Sequence, residues 1–585
     1  MKTTLLFSLL GVGLSFTVVS QSFEATNITD LTTTPSGSRS ANFIDVNGDG
    51  WDDIFISNGP SGGQNNMLYI NNGDDTFTTV TNDDIVMDGS SSDGTSFADV
   101  DNDGDLDVFV VTWASGIAGK NFFYRNNGDG TFTNEPDTPI ANLYTFSEMA
   151  TWIDVNNDQF LDLYFTNSLG AAANRYFENQ TDGTFSPITN LPITSEVLGT
   201  RSVDWIDYDN DGDCDIFLTN ENNTKNSLFR NDGPNNFTQI TDLSIVQDMK
   251  NSGGSSWADI DNDGDFDLFV ANWQNQNNQL FINNGGTFTE QTSSVIATGG
   301  GHSFGSSFAD IDNDGDLDLF VCNAFLASQT NNFVYINDGT GNFTQDTSSV
   351  LATQNGWTFG CAFGDYNNDG WLDLVLANTL NESQNNSLFK NTGTGNNWVK
   401  FNCTGTNSNT SAVGTKIRLK ATINGNTIWQ TRKITASSGY NSQNSYAVHF
   451  GLGNATIIDE LEITWPIGTV ETFNNISINT IHALIEGTGL SVPEFNNNIH
   501  FSLFPNPAQD TINLKLTPMV NDNYTNISLK IVDGRGRHVA LYKHLNFELN
   551  TTLPISIAKL TPGLYFYSIT TAKNRTLTSG KIVKL

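Results

Sequence analysis

From about residue 22 to residue 395 the chain is a succession of short apolar runs rich in Phe, Ile and Val, each closed by Asn, Asp or Gly. No 3.6-residue helical period survives there, so the pattern predicts strands joined by tight turns. One unit recurs seven times. Its anchor opens as Phe43-Ile-Asp-Val-Asn-Gly-Asp-Gly-Trp-Asp-Asp-Ile-Phe and returns from Phe97, Trp152, Trp205, Trp257, Phe308 and Phe363. Behind each anchor come an apolar run such as that from Leu268, an Asn-rich loop, a third run such as that from Gln279, and a last one such as Thr287-Phe-Thr-Glu. Four strands per repeat of roughly 40–50 residues is the pattern of a propeller blade, and seven copies predict a seven-bladed β-propeller over residues 21–395. A ring must close. The segment Ser22-Phe-Glu-Ala-Thr-Asn-Ile is expected to supply the outer strand of the last blade, with Trp398-Val-Lys-Phe as the competitor.

After residue 395 the repeat stops and strand-type alternation continues, as in Lys416-Ile-Arg-Leu-Lys and Glu460-Leu-Glu-Ile-Thr-Trp. This predicts a small β-rich domain over 396–488. A linker is expected at 489–497, and a C-terminal β-sandwich over 498–585. The fold class is therefore all-β throughout. Residues 1–20 read as a signal peptide, with Lys2 before the apolar stretch 5–19 and a cleavage site ahead of Gln21. No later run approaches the roughly 20 apolar residues of a transmembrane helix. Four cysteines in 585 residues make no disulfide framework and are read as small core residues.

Charge sharpens the picture because it is unevenly placed. Asp and Glu total 64 against 26 Lys and Arg, a net −38, which excludes nucleic acid and anionic membranes as partners. Much of the acid sits in the anchors. Positions 1, 3, 5 and 9 offer side-chain oxygens and position 7 a backbone carbonyl, with a Gly usually at position 6. The first loop offers Asp45, Asn47, Asp49, Trp51 and Asp53, and the second Asp99, Asp101, Asp103, Asp105 and Asp107. The third offers Asp154, Asn156, Asp158, Phe160 and Asp162, and the fourth Asp207, Asp209, Asp211, Asp213 and Asp215. The fifth offers Asp259, Asp261, Asp263, Asp265 and Asp267, and the sixth Asp310, Asp312, Asp314, Asp316 and Asp318. The seventh offers Asp365, Asn367, Asp369, Trp371 and Asp373. Ca²⁺ takes six to eight oxygens, and alternate residues of a tight loop supply them. An EF-hand would carry Glu at position 12, where the second loop has Val110 inside a strand-like run. Turn formation alone explains Asp, Asn and Gly, but not carboxylates kept at positions 1, 5 and 9 in every copy. Five to seven Ca²⁺ per chain, mainly structural, are expected. The third loop, with Gln159 in place of Gly, is the doubtful one.

These anchors resemble the FG-GAP family, also called VCBS repeats, which implies a propeller with calcium loops on one rim. Ser411-Ala-Val-Gly-Thr-Lys, Gly439-Tyr-Asn-Ser-Gln-Asn, His449-Phe-Gly-Leu-Gly and Trp465-Pro-Ile-Gly resemble the ASPIC and UnbV module of proteins similar to cartilage acidic protein. Phe504-Pro-Asn-Pro, Leu560-Thr-Pro-Gly-Leu-Tyr-Phe and the terminal Lys581-Ile-Val-Lys-Leu resemble a type IX secretion sorting domain. That resemblance implies the type IX machinery as a partner, and a secreted or outer-surface location in a Gram-negative bacterium.

No nucleophile elbow, zinc-type His pair or phosphate loop is present, and before residue 396 the one histidine is His302. The sequence therefore favours extracellular binding or adhesion to a glycan or protein ligand. The alternative is a calcium-dependent polysaccharide-degrading enzyme. Trp113 and Trp273 are candidates to stack on sugar rings, and His449 and Trp465 are read as packing residues.

Overall fold

Seven four-stranded antiparallel sheets follow one another along the first two thirds of the chain. The computed structural model describes residues 23–113, 119–168, 172–326, 331–379, 383–393, 395–491, 499–518, 524–533, 538–547, 552–570 and 576–585. The expected signal peptide lies outside these. Among the described residues there is one α-helix, Val350–Thr353, and no helix long and apolar enough to cross a membrane.

The innermost strands are Ser38–Ile44, Ser92–Ala98, Ser147–Ile153, Thr200–Ile206, Ser252–Ala258, Ser303–Ala309 and Thr358–Gly364. They are almost wholly buried because each packs against the inner strand of the next sheet, and the seventh packs against the first. The N-terminal strand Phe23–Ala25 pairs with Ser387–Asn391, so the chain's first described strand completes its seventh sheet. The competitor for that place, Asn397–Thr404, instead lies between Val448–Gly453 and Ile481–Ile485.

A repeated clasp joins neighbouring sheets. In each of the seven sheets the third strand carries an Asn at or next to its end, whose backbone N–H donates to the position-9 Asp of its own loop at 2.7–2.9 Å. In six of them the side-chain amide (Asn71, Asn126, Asn179, Asn283, Asn337, Asn391) donates at 2.7–2.8 Å to a backbone carbonyl in the preceding sheet's loop. Asn71 reaches Tyr366 in this way, fastening the first sheet to the seventh.

Residues 397–491 form two further four-stranded sheets around Val399, Phe401, Leu419, Phe450, Leu461 and Trp465. Gly489–Ser491, read as the start of a linker, is a strand paired with Ile481–Ile485. Beyond it a three-stranded and a four-stranded sheet share a core of Ile512, Leu514, Leu529, Ile531, Ile569 and Ile582. All four cysteines are free thiols; Cys322 and Cys361 are buried and Cys214 and Cys403 half-buried.

The second group of sheets does more than follow the first. Its segment 435–447 enters the space between the inner strands. Gln443 exchanges backbone hydrogen bonds with Ala41 and Phe43, and its side-chain amide spans the backbone N–H and C=O of Phe97. Asn444 accepts from Phe363 N–H and donates to Ser307, and Ser437 bonds Thr151. Glycines on the inner strands make the room: a Cβ on Gly254 would sit 2.8 Å from the Cβ of Tyr440.

Candidate metal centres and the opposite face

Each acidic loop follows an inner strand, so the seven share one rim. Their internal bonding repeats. The position-1 carboxylate accepts the N–H of position 6: Asp99 does so from Gly104 at 2.9 Å, Asp154 from Gln159 at 2.9 Å and Asp365 from Gly370 at 2.8 Å. Position 5 accepts the N–H of position 7 in all seven loops, at 3.0–3.1 Å. These bonds wind the chain so that alternate side chains converge. Four loops bring three carboxylate oxygens within 4.8 Å of one another: Asp99, Asp101 and Asp103; Asp207, Asp209 and Asp215; Asp259, Asp261 and Asp263; and Asp310, Asp312 and Asp314. In the other three loops Asn47, Asn156 and Asn367 stand at position 3, and each accepts the N–H of position 5 at 3.0–3.1 Å. Position 6 has positive φ in every loop, 85–104° for the glycines and 81° for Gln159. The third loop thus has the same turn as the rest, held by a residue that pays for it in backbone strain.

Converging carboxylates are costly on their own. Burial first, then the neighbouring carboxylates, raise Asp45 to about 7, Asp310 to about 8 and Asp314 to about 9. Burial likewise lifts Asp107, Asp215 and Asp267 to about 8. An all-oxygen donor set of carboxylates, amides and carbonyls, with excess negative charge, fits a hard divalent cation. Among the described residues two protein cations form ion pairs with the loops, and sequence spacing indicates neither. Arg125 bridges Asp101 and Asp107 at 2.8 and 2.9 Å, and the buried Lys400 pairs with Asp365 at 2.9 Å. Lys400 belongs to the second group of sheets, which is seated on this rim. Gly451 N–H donates to Asp310, the Nε2 of His449 bonds the Gly370 carbonyl, and Ser411 accepts from Asp99 N–H. Burial drops the His449 imidazole to about 3. Trp465 is a core residue, as expected, with its indole N–H on Glu471.

The opposite face is built from the starts of the inner strands. Their second residues, Arg39, Asp93, Glu148, Arg201, Gly253, Phe304 and Phe359, hold the same place in successive inner strands. One side is charged. Arg201 bonds Glu148 at 2.8 Å and Glu221 at 2.7 Å, and Tyr440 from the inserted segment donates to Glu148 at 2.6 Å. Asn441 donates to Asp93. The other side is aromatic. Phe304 and Phe359 stack at 4.9 Å, Trp273 lies 5.6 Å from Phe304, and Phe325 lies 5.4 Å from Trp357. Arg39 sits between Trp113 and Phe359, at 4.9 and 4.4 Å from their ring centroids. Phe325 is 42% exposed and holds φ at +63°, a left-handed conformation unfavourable for a bulky side chain.

Tandem four-stranded sheets with one acidic loop each define an all-β repeat protein. The chain belongs to the FG-GAP-like repeat family, which matches residues 45–110, 99–165, 154–218, 207–270, 259–321 and 324–376. Residues 405–491 match the ASPIC and UnbV family, and 502–584 a secretion system C-terminal sorting domain, which marks a secreted or outer-surface protein. Cartilage acidic protein 1 of Xenopus tropicalis is 27% identical over 413 residues, covering 65% of this chain and 62% of that protein. Its Homo sapiens counterpart is 25% identical over 427 residues, covering 67% and 62%. The chain therefore spans less than two thirds of these relatives' length. Among solved structures, the six-bladed fucose-binding lectin of Aleuria aurantia aligns at TM-score 0.33 and 11% identity, over 55% of this chain and all of the lectin. PorZ, a type-IX secretion surface component of Porphyromonas gingivalis, aligns at TM-score 0.21 and 11% identity, over 94% and 82%.

Proposed function

We propose that the seven sheets act as blades of one calcium-stabilised propeller, exported by the type IX machinery, whose task is extracellular binding of a glycan or protein ligand. Calcium is assigned to the seven rim loops. Positions 1, 3, 5 and 9 supply side-chain oxygens and position 7 its carbonyl, and the ions neutralise charge that otherwise strains the rim. The ligand is assigned to the opposite face. The observation that carries this reading is the aromatic cluster there, with Phe325 presented on strained backbone beside half-exposed Trp113, Trp273 and Trp357. Aromatic faces next to a fixed guanidinium suit sugar rings or an aromatic-rich peptide. Catalysis draws less support: the acids at this face, Asp93 and Glu148, are engaged by Asn441, Arg201 and Tyr440 rather than left to a substrate. A glycan array and a pull-down in saturating calcium test the reading. Binding should fall at least tenfold in Trp273→Ala and Trp357→Ala. Full binding by both variants would move the ligand elsewhere.

A further inference from the structure

Position 4 of the acidic loops is not among the expected ligands. It holds φ between 54° and 67° in all seven loops, with Gly48 in the first and Asn in the other six. Glycine suits a left-handed turn at least as well as Asn, so the turn alone does not explain six amides. In five of them the side-chain nitrogen crosses to the next loop. Asn102 donates to the Gln159 carbonyl at 3.0 Å, Asn313 to that of Gly370 at 2.9 Å and Asn368 to that of Gly50 at 3.1 Å. Asn210 donates to the Asp265 carboxylate at 2.6 Å, and Asn262 to that of Asp316 at 3.1 Å. Every link lands on position 6 or 7 of the following loop. The links run from the fourth loop through the fifth, sixth and seventh to the first, and separately from the second to the third. Gly48 has no amide to pass on, and the exposed Asn157 makes no such bond among the described residues.

The docked second group sets the direction of three of these amides. Lys400 donates to the side-chain oxygen of Asn368 at 2.8 Å, and Lys416 to that of Asn210 at 2.9 Å. Thr410 donates to the oxygen of Asn102 through its N–H at 3.0 Å and its hydroxyl at 2.8 Å. An ammonium carries donors only, so it takes the amide oxygen and leaves the nitrogen for the neighbouring loop. The landing point matters as well. In all five receiving loops the position-6 N–H holds the position-1 carboxylate, at 2.7–3.1 Å, and position 7 offers the carbonyl expected to face the ion. An ion held by positions 3 and 5 fixes the turn between them, and the amide on that turn then fixes the receiving loop. The next ion meets a loop already ordered in part, which is the condition for positive and reciprocal coupling.

We infer that the position-4 asparagines make calcium uptake cooperative from the fourth loop round to the first. The inference rests on the assignment of calcium to the rim. Calorimetry and metal analysis of the full chain, stripped with chelator and returned to limiting free calcium, test it. Asn210→Gly with Asn262→Gly keeps both turns, removes no expected ligand and cuts both links of the fifth loop. This double variant should need severalfold more calcium to half-fill, whereas Asn157→Gly should behave as wild type. Asp263→Ala, which disables the fifth loop, should lose more than one ion from the wild-type chain at limiting calcium. In the double variant it should lose one only. A double variant that fills like wild type, or a loss of one ion in both backgrounds, would mean independent loops and overturn the inference while leaving five to seven ions at saturation intact. Two ions or fewer at saturation would instead remove the calcium assignment, and the inference with it.

Discussion

At position 6 of the third loop Gln159 holds φ at +81°, where six loops use Gly. A side chain there costs on the order of 1 kcal/mol relative to glycine. Gln159→Gly is therefore expected to stabilise the chain by about that amount, read by thermal unfolding in calcium, and to tighten the hold on calcium proposed for the third loop. Asp263→Ala removes an acid from the four-carboxylate fifth loop, and Asp158→Ala makes the equivalent change in the third. The former should lose more affinity and more melting temperature in calcium, since stabilisation by a bound ion grows with its affinity. Equal losses would count against a charge-based ranking of the loops.

The same carboxylates set the pH response. Asp45 is raised to about 7, and Asp107, Asp215, Asp267 and Asp310 to about 8, from 3.8. Over that window the folded chain binds more protons than the unfolded one, so metal-free stability is greatest below about pH 4 from this source. It is lost as pH rises through about 7–8. In chelator the melting temperature should fall between about pH 5 and pH 8.5, and saturating calcium should remove most of the fall. A rising melting temperature in chelator would contradict the raised values.

Among elements, the N-terminal strand Phe23–Ala25 carries more of the fold than its length suggests, because it fills the outer place of the seventh sheet. Deleting residues 21–31 should lower the melting temperature of the repeat region more than deleting 489–585. Equal unfolding of the two truncations would deny that closure a stabilising part. The strand was legible beforehand, since Ser22-Phe-Glu-Ala resembles the fourth strand of other units. The anchors were legible for the same reason: seven copies of one acidic pattern separate it from an ordinary turn. The Asn clasp was harder to see. The Asn at or next to the end of each third strand recurs openly, but its amide acts on the preceding sheet, a partner no local spacing indicates. The inserted segment was hidden altogether. Gly439-Tyr-Asn-Ser-Gln-Asn looks like a surface turn, and Gly254 like a plain strand residue, until the two meet between the inner strands. Lys400 likewise reads as a strand residue of a separate domain, and only docking brings it to Asp365.

For the whole molecule, the two groups of sheets are joined through the acidic rim and through the segment that reaches the far face. Ions bound at the sixth and seventh loops would therefore stiffen the platform on which Gly451, His449 and Lys400 rest. Tyr440, placed by that docking, completes the charged half of the opposite face. A net charge of −38 is sustainable in the proposed propeller because its rim loops would take up cations. Metal analysis of the folded chain, equilibrated with calcium and freed of excess ion, tests it most directly. The account predicts five to seven calcium ions per chain, released by chelator with a fall in melting temperature. Two or fewer, or release without change in stability, would contradict it.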